Sequence, residues 1–301
     1  MPPENVILNA GPARASIARR GGEWRSWSVG DIDLLWPGDP AVWPGVAPVL
    51  FPVVGWTHNG QVRVGGAGYE LGVHGFAGES DFVLAEQAED RALLVLEDTA
   101  ASRARYLFAF RLEIEYRLTP TAMQVTLFVA NTGSGVMPYA VGLHPGFCWP
   151  LAGSQAGHAI IFDSPERPDV PVIAPGGLFS VRRRPVPFAG RVLRLTPDLL
   201  AAEALCFLEV TSRRLLYENG AGQGLRVSLE NFPHVALWAR PPAPFVAIEA
   251  WTGHGDPEGF AGDLFEKPSM ILLQPGARAS HAARYEFLTD LQDCSLLPKG
   301  R

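Results

Sequence analysis

The chain has 301 residues, of which 32 are glycine and 27 proline, well above the roughly 12% that the two types together make up in ordinary proteins. Proline at that density interrupts long helices, because it lacks the N–H and clashes with the preceding turn, so a helical bundle or coiled coil is excluded. A hydrophobic content of 47% with only 19% charged residues excludes a disordered chain, and a net charge of −6 leaves no electrostatic footprint for nucleic acid or an anionic membrane.

Met1-Pro2-Pro3-Glu4-Asn5 lacks the basic-then-apolar layout of a secretory leader. No apolar run approaches the ~20 residues of a membrane span. Cys148, Cys206 and Cys294 are odd in number and widely separated, and read as reduced thiols of a cytoplasmic protein. A first short strand is expected over 93–97. The clearest signal follows over 106–118, where Tyr106, Phe108, Phe110, Leu112, Ile114, Tyr116 and Leu118 alternate with mostly polar residues. Period two means a strand with one buried and one wet face. Thr119-Pro120-Thr121 turns the chain, and Met123, Val125, Leu127 and Val129 repeat the alternation, which predicts an antiparallel hairpin.

Further strands are expected over 159–162, 192–195, 205–210, 225–229, 235–239, 245–249, 270–273 and 281–288, each bounded by Gly, Pro, Asn or Asp. The basic cluster Arg182-Arg183-Arg184 sits among prolines and reads as a solvated loop. The only helix expected is a turn or two from Pro197-Asp198 through Ala204, since proline is tolerated in a first turn. Gly220-Ala221-Gly222-Gln223-Gly224 lacks the βαβ context of a dinucleotide loop and reads as a hairpin turn. The pattern predicts an all-β protein: one large antiparallel β-sandwich or barrel domain over 1–301, with few short helices.

No Gly-x-Ser-x-Gly elbow is present, so a hydrolase of that type lacks its nucleophile turn, and the seven histidines lack metal-binding spacing, so no metal is expected. Three places stand out. Val73-His74-Gly75-Phe76-Ala77-Gly78 sets a histidine among glycines, which reads either as an exposed loop residue or as a functional imidazole. In Gly142-Leu143-His144-Pro145-Gly146-Phe147 the proline keeps His144 extended; a satisfied core histidine and a functional one both fit. In Phe245-Val246-Ala247-Ile248-Glu249-Ala250-Trp251, alternation puts Glu249 on one face with Phe245, Ala247 and Trp251. A carboxylate there is costly unless paired, and desolvation would raise its pKa toward the range useful to a general base, unless the side chain reaches solvent. Trp36, Trp43, Trp56, Trp238 and Trp251 lie near turn signals, where flat aromatic faces match the C–H face of a sugar. Core packing accounts for such residues equally well.

These residues resemble, in order along nearly the whole chain, the aldose 1-epimerase (galactose mutarotase) superfamily and its LacX-like branch. The likeness runs from Leu34-Leu35-Trp36-Pro37-Gly38-Asp39-Pro40 and Trp43 through Pro48-Val49-Leu50-Phe51-Pro52-Val53-Val54-Gly55 and His74-Gly75-Phe76-Ala77. It continues in Gly142-Leu143-His144-Pro145-Gly146-Phe147, Ile248-Glu249-Ala250-Trp251 and Leu273-Gln274-Pro275-Gly276. The resemblance implies a galactose mutarotase-like β-supersandwich that interconverts the α and β anomers of an aldose without a cofactor. It casts Glu249 as base, His144 as acid and His74 as a hydrogen-bond donor near the ring oxygen. The residues expected to contact a monosaccharide are Trp56, Glu203, Trp251, Phe147 and Trp238. Glu203 matches a sugar-binding Asp of the family that precedes a Ser-Arg pair, here Ser212-Arg213.

The chain also departs from the branch. Trp56 and Gly78 stand where it usually has arginines, and Ala250 replaces the proline after the catalytic glutamate. Losing two bidentate donors disfavours a phosphorylated substrate. It also leaves open a non-catalytic carbohydrate-binding protein of the same fold, with hexose-6-phosphate 1-epimerase a further alternative.

Overall fold

The computed structural model describes residues 5–292 and 294–297. Strands dominate and pair antiparallel into a nine-stranded and a six-stranded sheet, accompanied by a four-stranded sheet and three two-stranded ribbons. The expected hairpin lies in the nine-stranded sheet, with Phe110–Leu118 in register against Ala122–Asn131. Leu112, Ile114 and Tyr116 point inward. The wet face carries Arg111, Glu113 and Glu115, paired with Glu97, Arg278 and Arg91 of neighbouring strands. Exposed pairs of this kind contribute about 0–1 kcal/mol each, so the inward side chains hold the sheet.

The six-stranded sheet runs Leu205–Phe207, His234–Trp238, Phe245–Trp251, Gly142–Leu143 and Val49–Leu50, with Gly146–Cys148 also paired to Phe245–Trp251. Every residue of Phe245–Trp251 is buried. Val246, Ile248 and Ala250 enter the main core between the two large sheets. Phe147 meets Tyr285 of the strand Arg278–Leu288 there, ring centroids 5.4 Å apart. The opposite face of Phe245–Trp251 holds Phe245, Ala247, Glu249 and Trp251; Trp43 stacks on Phe245, and Phe179 clusters with Trp251.

Several local expectations change. The strand expected from Tyr106 begins at Phe110. A helical turn, Ala100–Arg103, precedes it and is closed by a reciprocal capping box of Thr99 and Ser102. This is a second short helix beside the expected one at Pro197–Leu200. Tyr106 is buried without ladder pairing: its hydroxyl donates to the Pro138 carbonyl at 2.9 Å, and its ring meets Phe108 at 4.9 Å. The run 205–210 pairs only over Leu205–Phe207. Arg182, Arg183 and Arg184 are not in a solvated loop; they lie in Leu178–Pro185, which pairs with Asp169–Ala174 as a ribbon. Arg183 bonds to Asp169 and Arg184 pairs with Glu203. The glycine run at 220–224 does close a hairpin, with Asn219 Oδ1 accepting the N–H groups of Ala221 and Gln223. The described cysteines are free, and among the described residues no helix is long and apolar enough to cross a membrane.

The core face of Phe245–Trp251 gives a direct stability test. Ile248→Ala is expected to cost about 2–5 kcal/mol in urea unfolding. Val181→Ala, at a ribbon position 93% exposed, should stay within about 0.5 kcal/mol.

Candidate active site

Strand alternation delivers Glu249 to the face of Phe245–Trp251 opposite the core, where its side chain is 2% exposed. Trp251, two residues along on the same face, donates its indole N–H to Glu249 Oε2 at 3.0 Å. The Nε2 of His144 lies 3.2 Å from the same oxygen. His144 follows the short strand Gly142–Leu143, which pairs with Phe245–Trp251. Its own N–H donates to the Pro48 carbonyl at 3.1 Å, and the next carbonyl, of Pro145, accepts from Ile248 at 3.1 Å. The backbone that carries the imidazole is thus tied on both sides, while His144 Nδ1 is buried without a hydrogen-bond partner. Trp43 packs on the imidazole with ring centroids 5.1 Å apart, and Trp238 meets it edge-on at 5.5 Å.

His74 approaches from the other side, its ring perpendicular to that of His144 at 5.7 Å. It has a positive φ of 62°, followed by Gly75 at 76°; a non-glycine residue there is uncommon and strained. A Cβ on Gly75 would lie 2.2 Å from the Phe51 carbonyl oxygen, so only glycine allows the chain this close. His74 and Gly55 bond reciprocally: the His74 N–H donates to the Gly55 carbonyl at 2.9 Å, and the Gly55 N–H donates to His74 Nδ1 at 3.1 Å. With Nδ1 an acceptor, the proton of the neutral ring sits on Nε2, which makes that atom a donor.

Burial pushes Glu249 well above the usual carboxylate range, and the bond from Trp251 offsets part of that rise. Burial, helped by the nearby His74, pulls His144 down to about 3, while burial pulls His74 down to about 4. Both directions favour the form of the pair in which each group is uncharged, with the proton on the Glu249 carboxyl. Transfer across the 3.2 Å contact would give the carboxylate–imidazolium form.

The other expected contact residues divide. Trp238 borders the pair, and Trp251 holds Glu249. Trp56 is 48% exposed and stands beside Gly55, against Gly177 at the tip of the ribbon. Glu203 is engaged by Arg184 and by the Ile173 N–H. Phe147 is a correction: it is fully buried in the core against Tyr285. Alternation along Gly146–Cys148 turns it away from the face where Gly146 meets Trp43, so it offers no surface to a ligand.

Sequence reasoning did not place Trp43 against His144, nor the buried ion pair of Lys267 and Asp256. Lys267 Nζ also donates to the His254 carbonyl, and Asp256 accepts from the His58 N–H at 2.7 Å. A charged pair straddling an irregular loop has no periodic signature. A surface cavity of about 530 Å3 between Trp149, Pro150 and the prolines of 241–244 shares no lining residue with the His74–His144–Glu249 group. Among the described residues, no group of three or more His, Cys, Asp and Glu could hold a metal ion.

The sequence pattern of the Aldose 1-epimerase family matches residues 4–286, so the chain belongs to that family. It is 29% identical over 257 residues to the chromosomal LacX protein of Lactococcus lactis subsp. lactis, a match covering 81% of this chain and 86% of that one. A galactose mutarotase-like protein from Lactobacillus casei superposes with a TM-score of 0.89 at 25% identity, over 95% of this chain and 100% of the other. A galactose mutarotase related enzyme from Lactobacillus acidophilus gives 0.87 at 25% identity, over 95% and 98%. Galactose 1-epimerase from Lactobacillus acidophilus NCFM shares the fold, with a TM-score of 0.70 at 13% identity over 93% and 92%.

Burial of imidazoles sets a pH dependence of stability. Six of the seven histidines, at positions 74, 144, 158, 234, 254 and 281, are held below 6.5, chiefly by burial. Below 6.5 the unfolded chain therefore binds more protons than the folded one, and stability falls with pH. The loss extends down toward 3–4, the folded values at His74, His144 and His234. The raised Glu249 acts in the opposite sense, one group against six. Thermal unfolding should show Tm falling steadily from pH 7 to pH 5; a flat or rising Tm would contradict this.

Proposed function

We propose that the protein is a mutarotase: it opens the ring of an aldopyranose and recloses it on the other face of C1. The 3.2 Å contact between Glu249 and His144, with His74 edge-on to it, carries this reading. Ring opening takes a proton from the C1 hydroxyl and puts one on the ring oxygen. In the carboxylate–imidazolium form, Glu249 accepts the first and His144 delivers the second. The C1–O5 bond breaks as its electron pair takes the proton from His144, and C1 becomes a carbonyl. The His74 Nε2–H donates a hydrogen bond to the ring oxygen as charge develops there.

Rotation about C1–C2 presents the other carbonyl face. Reclosure runs the same transfers backwards, from protonated Glu249 and neutral His144. One proton shared by the pair serves both directions, and the pair ends as it began. The faces of Trp43, Trp238 and Trp56 supply flat apolar surface of the kind that suits the C–H face of a sugar. Membership of the aldose 1-epimerase family, and a similarly folded galactose 1-epimerase, support a monosaccharide substrate.

Polarimetry on a freshly dissolved pure anomer tests the reading. Wild-type protein should shorten the approach to equilibrium, and Glu249→Gln should lower kcat/KM by about 100-fold or more without loss of folding. If every aldose tried equilibrates at its spontaneous rate with wild-type protein, the assignment fails.

The pH profile is a separate check. A second proton on the pair abolishes the base, and burial holds His144 at about 3. The acid limb should therefore fall well below pH 6.5. Loss of the single proton abolishes the acid, so the alkaline limb should lie above the ordinary carboxylate range, in keeping with the raised Glu249. An acid limb at 6.5 would show an unperturbed histidine in control.

A further inference from the structure

The His144 ring is balanced on one side only. At Nε2 stands Glu249, 3.2 Å away. With Nε2 accepting from the protonated carboxyl, the neutral ring carries its own proton on Nδ1, and that atom is buried without a hydrogen-bond partner. When the Glu249 proton crosses to Nε2, the ring becomes a cation whose charge spreads over both nitrogens, yet no oxygen accepts from Nδ1. His74 does not take that part: its Nδ1 already accepts the Gly55 N–H, which leaves its Nε2 a donor. Two indoles also border the ring. Trp43 lies 5.1 Å away between centroids with the planes 38° apart, and Trp238 is edge-on at 5.5 Å.

Trp43 is set in that place by its own loop. Asp39 Oδ1 accepts the Ala41 N–H at 2.8 Å, and the Asp39 carbonyl accepts the Trp43 N–H at 2.7 Å, which turns the chain back on itself. The Trp43 carbonyl accepts the Trp36 indole N–H at 3.0 Å. The Trp43 ring stacks on Phe245, of the strand that carries Glu249, with centroids 5.1 Å and planes 26° apart. Arg240 donates to the Val42 carbonyl and so ties the loop to the chain just beyond Trp238. Gly146, two residues after His144, leaves room for the indole: a Cβ there would lie 2.8 Å from Trp43 Cζ3. The ring is therefore fixed before any charge forms, as stabilisation without reorganisation requires.

A cation within about 6 Å of an indole centroid is attracted to the negative face of the ring, more strongly where water is excluded. His144 is buried. We propose that Trp43 is a positioning residue for the acid: its indole face stabilises the His144 imidazolium and so raises the share of the carboxylate–imidazolium form. The modest strength of the contact suits the reaction. A second carboxylate, at Nδ1, would pull the proton onto His144 in the resting site, whereas an indole favours the cation by less. The uncharged form stays in the majority and the ionic form stays within reach, so that the transfer runs in both directions, as opening and reclosure need. This rests on the mutarotase reading of the same site.

Mutarotation kinetics on protein carrying mono-, di- and trifluorinated tryptophan at position 43 alone test the inference. Fluorine drains charge from the face of the indole while keeping its shape and its N–H, so a role in packing is left intact. The substrate is an aldose whose kcat carries a solvent deuterium isotope effect, so that proton transfer sets the rate. Across the series kcat should fall with each fluorine, by about fivefold or more in all, with little change in KM. Trp43→Leu, which removes the ring, should lower kcat by about tenfold or more, and the fluorinated proteins guard against a folding defect in that variant. A level kcat across the series in active protein would overturn the proposal alone. So would a rise in KM at constant kcat, the mark of an indole that packs on the sugar and not on the acid. Wild-type protein that leaves every aldose at its spontaneous rate would overturn the mutarotase reading, and this role with it.

Discussion

A carboxyl group on a strand buried on both faces is the constraint around which the site is arranged. Glu249 cannot remain an unpaired anion there, because burial penalises its charge. Trp251 supplies one hydrogen bond from within the same strand, and His144 supplies the group with which a proton is shared. The neutral state of the pair and the ionic state needed for ring opening contain the same number of protons. Desolvation therefore does not remove the catalytic state; it makes that state reachable by a transfer within one contact. Val246, Ile248 and Ala250, buried on the opposite face, anchor the strand that presents the carboxyl.

The loops over this face are held by bonds unrelated to the carboxyl. His74 depends on the turn at Gly75 and on its reciprocal bonds with Gly55. A Cβ on Gly55 would in turn lie 2.5 Å from the Gly255 nitrogen, so the two loops touch backbone to backbone. The buried ion pair of Lys267 and Asp256 fixes the chain just beyond Trp251 and ties it to His58. Buried ion pairs add little net stability but are costly to break. This one serves to hold irregular backbone in place beside the site.

Much of this was legible in the sequence wherever the signal is local and periodic. The hairpin of Phe110–Leu118 with Ala122–Asn131 and the face assigned to Glu249 both follow from period two, which pairing preserves. The ordered resemblance along the chain named the family, and the fold agrees with it. Misreadings arose where burial has another cause. Tyr106 and Phe108 continue the alternation of the strand, yet aromatic packing buries Tyr106 in a loop. Phe147 is next to a glycine on the site's face and so points to the core. The Arg182-Arg183-Arg184 run has the composition of a solvated loop, and only the ribbon register shows that Arg184 meets Glu203. Trp43 was legible as an aromatic near a turn, but its place against His144 is set by tertiary contacts between distant segments.

The protonation state of the Glu249–His144 pair is the claim on which the rest turns. Nitrogen-15 NMR of the histidine side chains at pH 7, assigned through His144→Gln and His74→Gln, reads it directly. The account predicts neutral rings at both positions, with the His74 proton on Nε2 and neither ring titrating near 6.5. A His144 ring carrying two protons at pH 7, or one titrating near 6.5, would contradict it.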